Sequence, residues 1–395
     1  MGLQGKRECR QSPEAKTSTS KKIRKINQRK KTNRNPNSLY IHFSGCSHFR
    51  QRIICSTLSG KPVKIRDIRV DDEEQPGLKS FEASFLRLVE KLTNGCQIEI
   101  NETGTLLSYR PGFIRGGRIE HDCGNERAIG WFLEGILPLA PFSKEPFKLS
   151  FTGITNDHVD TSVDVLKNVT LPSLKHFGIE GSMNLQIKKR GAPPEGGGLV
   201  EFVCPILREL RPIDLTDAGL IKRIRGVAYS TRVSPQTSNR VVSSGRALLN
   251  RLIPDVYIYT DHFSGKDCGK SPGFALSLVA ESTTGMMLSA EVAAEQGTLP
   301  EDLGSLGSKL LLQEIKIGGC IDRAHQPLFF LLMVLCPEDV SRLRIGNLTP
   351  QSIQTLRLLK EFFGVMFKLK PDKEQNAVLV SCLGSGFKNV NRRVT

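Results

Sequence analysis

Val63-Lys64-Ile65-Arg66-Asp67-Ile68 alternates apolar and charged residues, and the apolar series that follows, Phe81, Phe85, Leu88, Val89 and Leu92, changes to helical spacing. A period of two puts alternate side chains on opposite faces of a strand, and a spacing of three to four draws one stripe along a helix. The pattern predicts a strand over 63–68 and a helix over 78–92. Two short strands follow, 97–100 and 106–110, joined through Asn101-Glu102-Thr103-Gly104, residue types that favour a turn.

The same order returns twice. Residues 147–151 read as a strand and 160–177 as a helix capped by Asp160, Thr161 or Ser162, with strands over 185–189 and 199–203. The third copy places strands at 341–345, 366–369 and 377–382 around a helix over 349–363. A helix stripe must bury itself on a sheet face, so the expected fold class is α/β built from α+β repeats. Its main domain holds three repeated strand-helix-hairpin units. Residues 214–291 break the rhythm with strands near 222–230, 256–260, 274–280 and 286–292 and a helix over 234–252. They are expected to form a smaller inserted α/β domain. A helix over 299–318 is expected to return to the main body. The domains are thus a basic tail over 1–38, main-domain segments over 39–213 and 292–387 flanking the insert, and a short tail over 388–395.

The 395 residues carry 56 Lys and Arg against 40 Asp and Glu, a net charge of +16. Residues 1–38 hold twelve of those cations and two Glu, +10, which leaves +6 for the rest. That segment lacks apolar periodicity and is expected to be disordered; Lys21-Lys22-Ile23-Arg24-Lys25 and Arg29-Lys30-Lys31 are candidate nuclear or nucleolar signals. The longest apolar run, Leu328 to Cys336, falls far short of the ~20 residues that span a bilayer, so neither a membrane nor a secretory role is expected. Ten scattered cysteines include no C-x-x-C, and several sit in apolar runs, as expected of small core residues in a reducing compartment.

Local motifs do not announce chemistry. Gly265-Lys266-Asp267-Cys268-Gly269-Lys270-Ser271 has three residues between its glycines where a phosphate-binding loop needs four, and a strand follows it; it reads as a hairpin loop. Gly196-Gly197-Gly198 fits a turn, and Asp157, His158 and Asp160 fit an acidic helix start better than a metal site. No cofactor or metal is expected. Basic residues carry the stronger signal: Arg50 and Arg52 before an apolar run, Arg223 and Arg225 at the start of the insert, and Arg357 and Lys360 on one helix face. All are candidates for contact with RNA phosphates.

Ser59-Gly60-Lys61-Pro62-Val63, Pro76-Gly77-Leu78-Lys79, Thr155-Asn156-Asp157, Leu171-Pro172 and Arg190-Gly191-Ala192-Pro193-Pro194-Glu195-Gly196-Gly197-Gly198 together resemble the RNA 3′-terminal phosphate cyclases over residues 39–387. Arg223-Ile224-Arg225-Gly226, Tyr257-Ile258-Tyr259-Thr260-Asp261-His262 and Leu299-Pro300-Glu301-Asp302-Leu303-Gly304 are similar to the cyclase-like branch of that family. The resemblance implies three α/β units with an inserted domain. For true cyclases it implies a histidine that carries AMP covalently.

At that position the alignment places Gln351, whose amide is not a nucleophile. The glycine-rich opening of the cyclases, which carries a glutamate, is replaced by His42-Phe43-Ser44-Gly45-Cys46-Ser47. Phe81-Glu82 stands for a Gln-His pair. Arg50 and Gln326 match cyclase positions, and His325 falls where the cyclases have an acid. The resemblance therefore implies a nucleolar, non-cyclase ribosome-biogenesis factor. Its partners would be precursor rRNA within the small-subunit processing ribonucleoprotein and a ribosome-assembly GTPase, with Arg50, Arg357 and Lys360 retained for anion contact in a relic pocket. Two readings compete with it: a pre-rRNA endonuclease using Asp322, Arg323, His325, Arg357 or Lys360, and an active cyclase using His325 or His48.

Overall fold

The computed structural model describes residues 40–373 and 377–390, so the expectation for the basic segment 1–38 lies outside the described residues. Each repeat is larger than the strand-helix-hairpin unit, because a further strand and helix precede it. The first runs β1 (Ile41–Ser44), α1 (Phe49–Ser59), β2 (Val63–Arg66), α2 (Ser80–Leu92), β3 (Gln97–Ile100) and β4 (Leu107–Arg110). The second runs β5 (Gly116–Asp122), α3 (Ile129–Ile136), β6 (Glu145–Gly153), the broken helix α4 (163–177), β7 (Asn184–Lys189) and β8 (Gly198–Cys204). The third opens with the two residues of β9 (Asp214–Leu215), inside the stretch expected to belong wholly to the insert.

In the insert, β10 (Ile221–Thr231), α5 (Pro235–Leu249), β11 (Val256–Phe263), β12 (Gly273–Ser282), β13 (Met287–Ala293) and α6 (Pro300–Ile317) follow one another. The third repeat then resumes with α7 (Gln326–Val334), β14 (Val340–Ile345), α8 (Pro350–Phe363), β15 (Lys368–Asp372) and β16 (Ala377–Leu383). The three main sheets share one pattern, with strand orders β1-β2-β4-β3, β5-β6-β8-β7 and β9-β14-β16-β15. In each, the first pair is parallel because a helix crosses between its strands, and the remaining pairs are antiparallel.

Two of the extra helices, α3 and α7, escaped periodicity analysis for a physical reason. Ile129-Gly130-Trp131-Phe132-Leu133-Glu134-Gly135-Ile136 and Gln326-Pro327-Leu328-Phe329-Phe330-Leu331-Leu332-Met333-Val334 are buried on nearly every side and show no apolar stripe. The long apolar run of the sequence is therefore α7, a helix of the shared core of all three repeats. Among the described residues, no helix is long and apolar enough to cross a membrane.

Two helix starts shape the site described below. α2 has no side-chain acceptor at its cap, Lys79; instead Glu82 reaches back to accept from the Lys79 backbone N–H at 3.0 Å. The helix expected over 160–177 is broken: Ser162 caps it, accepting from Val165 N, and a π turn spans Leu166–Thr170. Val165, just before that turn, and Val169 within it pack against Val279 and Met287 of the insert, and the turn directs Thr170 toward His325.

The inserted sheet has the order β11-β10-β12-β13. Because β11 pairs with β10 in parallel and β12 lies antiparallel on the other side of β10, residues 265–271 pass around the end of β10 to join strands that are not neighbours and are not a hairpin loop. The loop packs closely on the second repeat, where any side chain at Gly269 would strike the Gly196 carbonyl. Leu303 and Leu311 of α6 join Ile224, Ile258 and Leu278 in a core separate from that of the repeats, so this helix packs on the insert and not on the main body.

Arg190 joins the two cores. Only 1% exposed, it donates to Asp164 at 2.8 Å and to Asp261 of β11 at 2.7 Å, and its guanidinium lies over the Tyr229 ring. A buried charge is tolerable only while its partners remain. Arg190→Met strands Asp164 without its cation and is expected to lower stability by about 3–5 kcal/mol in urea unfolding. Arg342→Ala, which breaks an exposed pair with Asp214, should change it by less than about 0.5 kcal/mol.

Candidate functional site

A cleft of about 1080 Å³ opens between the first repeat, the loop before α4 and the insert. Cys46 and His48 reach it from the turn after β1, Arg50 from α1, Phe81 and Glu82 from the start of α2, and Gln351 from the first turn of α8. The insert supplies Glu291 of β13 and Leu303, Leu306 and Leu310 of α6. The three segments at which the resemblance implies a departure from the cyclases, far apart in the chain, thus meet around one cavity large enough for a nucleotide.

Its electrostatics differ from the expected basic pocket. Three arginines line the cleft, and each is committed to a carboxylate. Arg50 donates to Glu134 and to the Trp131 carbonyl, with its guanidinium 5.1 Å above the Trp131 ring. Arg69 makes a two-pronged bond with Glu82 at 2.7 and 2.8 Å, and that pairing holds its pKa above the usual arginine range. Arg127 binds Asp160, its Nε at 2.8 Å from Oδ2, and lies over Phe81 and Trp131. Asp157, Glu291, Glu295 and Asp302 add four more carboxylates, so seven acids face three cations. A triphosphate would enter against that balance. Burial raises the pKa of Asp157 and pushes Glu291 up to about 7.

The other candidate residues are dispersed. Arg52 is buried behind the cleft wall, donating to the Gly45 carbonyl at 2.7 Å and stacked on Phe43. Gln326 is fully buried, bonded to the Asn347 carbonyl and the Ser352 hydroxyl. Arg357 and Lys360 are exposed on α8 and do not line the cavity. Arg223 and Arg225 lie on the insert, paired with Glu281 and Asp255. Arg50, Arg357 and Lys360 therefore do not come together as one anion pocket.

His325 is buried with both ring nitrogens engaged, Nδ1 with Asp322 at 2.6 Å and Nε2 with the Thr170 hydroxyl at 2.7 Å. Asp322 also accepts from the Ser289 backbone and hydroxyl, tying β13 to the main body. Arg323 turns away to Glu314. His48 does line the cleft; burial, aided by Arg52, lowers its pKa. Sequence reasoning missed Arg69, Arg127, Trp131 and Glu134. One signal was present: Glu134 is the lone charge in an apolar helix.

Burial alone would lower the His325 pKa, but the Asp322 carboxylate outweighs it and holds it above the usual value of 6.5. The folded protein then keeps a proton that the unfolded chain releases, so this stabilisation is complete below about 6.5 and fades as pH rises through the folded value. Glu291 acts in the same direction at lower pH: it titrates near 7 in the fold and near 4.5 otherwise, so stability falls as pH climbs between those values. Urea unfolding followed from pH 4.5 to 9 should show this decline. Glu291→Gln should flatten its lower part and His325→Gln its upper part.

The sequence profile described as RNA 3′-terminal phosphate cyclase matches residues 41–369. The human RNA 3′-terminal phosphate cyclase-like protein is 56% identical over 364 residues, covering 89% of this chain and 97% of its own. A Dictyostelium discoideum protein named as a probable RNA 3′-terminal phosphate cyclase-like protein is 51% identical over 368 residues, covering 89% and 99%. The rRNA processing protein rcl1 of Schizosaccharomyces pombe is 48% identical over 356 residues, covering 89% and 98%. With the match spanning the repeats, the insert and every wall of the cleft, this chain belongs to the RNA 3′-terminal phosphate cyclase family.

Proposed function

We propose that this protein is a non-cyclase member of its family that acts in rRNA processing for the small ribosomal subunit. It works in the nucleolus as a scaffold between precursor rRNA and a ribosome-assembly GTPase. One observation carries the proposal: the cleft has Gln351 at the aligned nucleophile position, and each of its arginines is already neutralised from within. Self-adenylylation needs an imidazole beside the α-phosphate and cations free to offset the charge that develops there. A phosphate could take an arginine here only by leaving Glu82, Glu134 or Asp160 unpaired, and Glu82 and Asp160 are buried. The similarity to the fission-yeast rRNA processing protein rcl1 supports rRNA processing as the process. The net charge of +16 favours an RNA partner, and the exposed Arg357 and Lys360 are available to phosphates outside the cleft.

A second reading has one observation behind it: His48 lines the cavity with its pKa lowered by burial, which suits a nucleophile for an active cyclase. The endonuclease reading has less, since Asp322 and His325 are consumed by structural bonds and Arg357 and Lys360 lie elsewhere.

Incubation with α-labelled ATP decides the matter. No acid-labile protein–AMP adduct is expected from the parent, and Gln351→His alone should also stay unlabelled because the arginines remain occupied. An adduct abolished by His48→Ala would overturn the proposal in favour of the cyclase. Cleavage of a precursor-rRNA fragment by the pure protein would overturn it in favour of the nuclease.

A further inference from the structure

β11 is the free edge of the inserted sheet, and its side chains divide between two environments. Val256 and Ile258 point into the insert's core, while Tyr257 and Tyr259 stand on the opposite face. These rings are 54% and 53% exposed and meet edge to face with centroids 4.4 Å apart. Tyr109 and Tyr229, by contrast, are buried. In the parallel register Arg225 lies beside Tyr257 and Val227 beside Tyr259, with Arg223 two residues earlier on the same face. Arg223, Arg225 and exposed Lys222 outnumber the nearby Asp255 and Glu281. The arginine–carboxylate pairs here are partly exposed, with one member of each open to solvent, and water weakens such pairs.

We propose that this open corner of the insert is a stacking platform for single-stranded RNA, with bases on Tyr257 and Tyr259 and phosphates over Arg223 and Arg225. The inference rests on the RNA-processing reading above and adds to it a surface and a strandedness. Unpaired bases offer π faces to aromatic rings on a sheet, and flanking guanidiniums track the backbone; an A-form duplex keeps its bases stacked out of reach. A protein strand added to the edge of β11 would need only backbone groups. It would give no role to two half-exposed rings set beside arginines, so RNA is the occupant the side chains favour.

The test uses the full chain and fluorescence anisotropy with a labelled RNA of about ten nucleotides, presented as a single strand and as a duplex. The single strand should bind more tightly. Tyr257→Ala and Tyr259→Ala should each weaken that binding roughly five- to hundredfold, with Phe variants close to the parent and melting temperatures unchanged. Arg223→Gln and Arg225→Gln should each make the slope of log affinity against log salt shallower by about one. Unchanged affinity in the double alanine variant, or equal binding of single strand and duplex, overturns the platform and leaves the edge of β11 to a protein strand. Either result leaves the non-cyclase reading standing, because that reading fails only on an AMP adduct or on RNA cleavage, neither of which involves these tyrosines.

Discussion

A guanidinium with almost no access to water holds the two parts of this molecule in register. Arg190 leaves the second repeat at the end of β7, meets Asp164 at the start of α4, and reaches Asp261 on β11. Two carboxylates and an aromatic ring replace the water it has lost, and they come from both the body and the insert. The pairing therefore acts as a constraint on position: moving the insert would expose a buried charge or strand one. The Asp322–Ser289 contact and the small cluster of Val165, Val169, Val279 and Met287 fix the far side of the same sheet. A cavity with one wall on α1 and the other on β13 and α6 keeps its shape only because these contacts span it.

Within that fixed frame, the internal counterions of the cleft form a coherent set. Glu82 is the clearest case. Where the cyclases resemble this segment with a histidine, the carboxylate here serves the fold twice, closing the start of α2 and neutralising Arg69. It lies in the wall of the cleft without being free to act there. Glu134 does the same for Arg50, and Asp160 for Arg127. A pocket that must admit phosphates keeps its cations waiting for them. Here the cations are satisfied from within.

The sequence made the second half of each repeat legible, because Phe85, Leu88, Val89 and Leu92, and likewise Leu358, Leu359 and Phe362, leave a polar face that marks the period. The first half was hidden for the converse reason. α3 and α7 lie at the centre and have no polar face to set a period, and β9 is only two residues long. The site was half legible. Alignment found Gln351, the turn after β1, and Phe81-Glu82, which do converge, but it counted Arg50 as a free cation. No local signal pairs Arg50 with Glu134, 84 positions away, or Arg127 with Asp160, 33 away. Charge in a sequence is additive; charge in a cleft depends on which partners the fold has already supplied.

The insert shows the same principle with the opposite result. Its sheet has one face under α5 and α6, and the other face is shared unequally. Toward β13 that face is consumed by the body, where Ser289 binds Asp322 and Glu291 accepts from Ser162. Arg190 holds that face at Asp261, near the end of β11, but toward the start of the strand it is exposed, and its residues change from Val279 and Met287 to Tyr257, Tyr259, Arg223 and Arg225. A rigid sheet held along β13 and at the end of β11 presents the start of β11 at a fixed place and angle, and an aromatic surface gains most when its orientation is settled before the ligand arrives. The clamp at Arg190, which makes the cleft a permanent feature, therefore also holds the tyrosine edge in position.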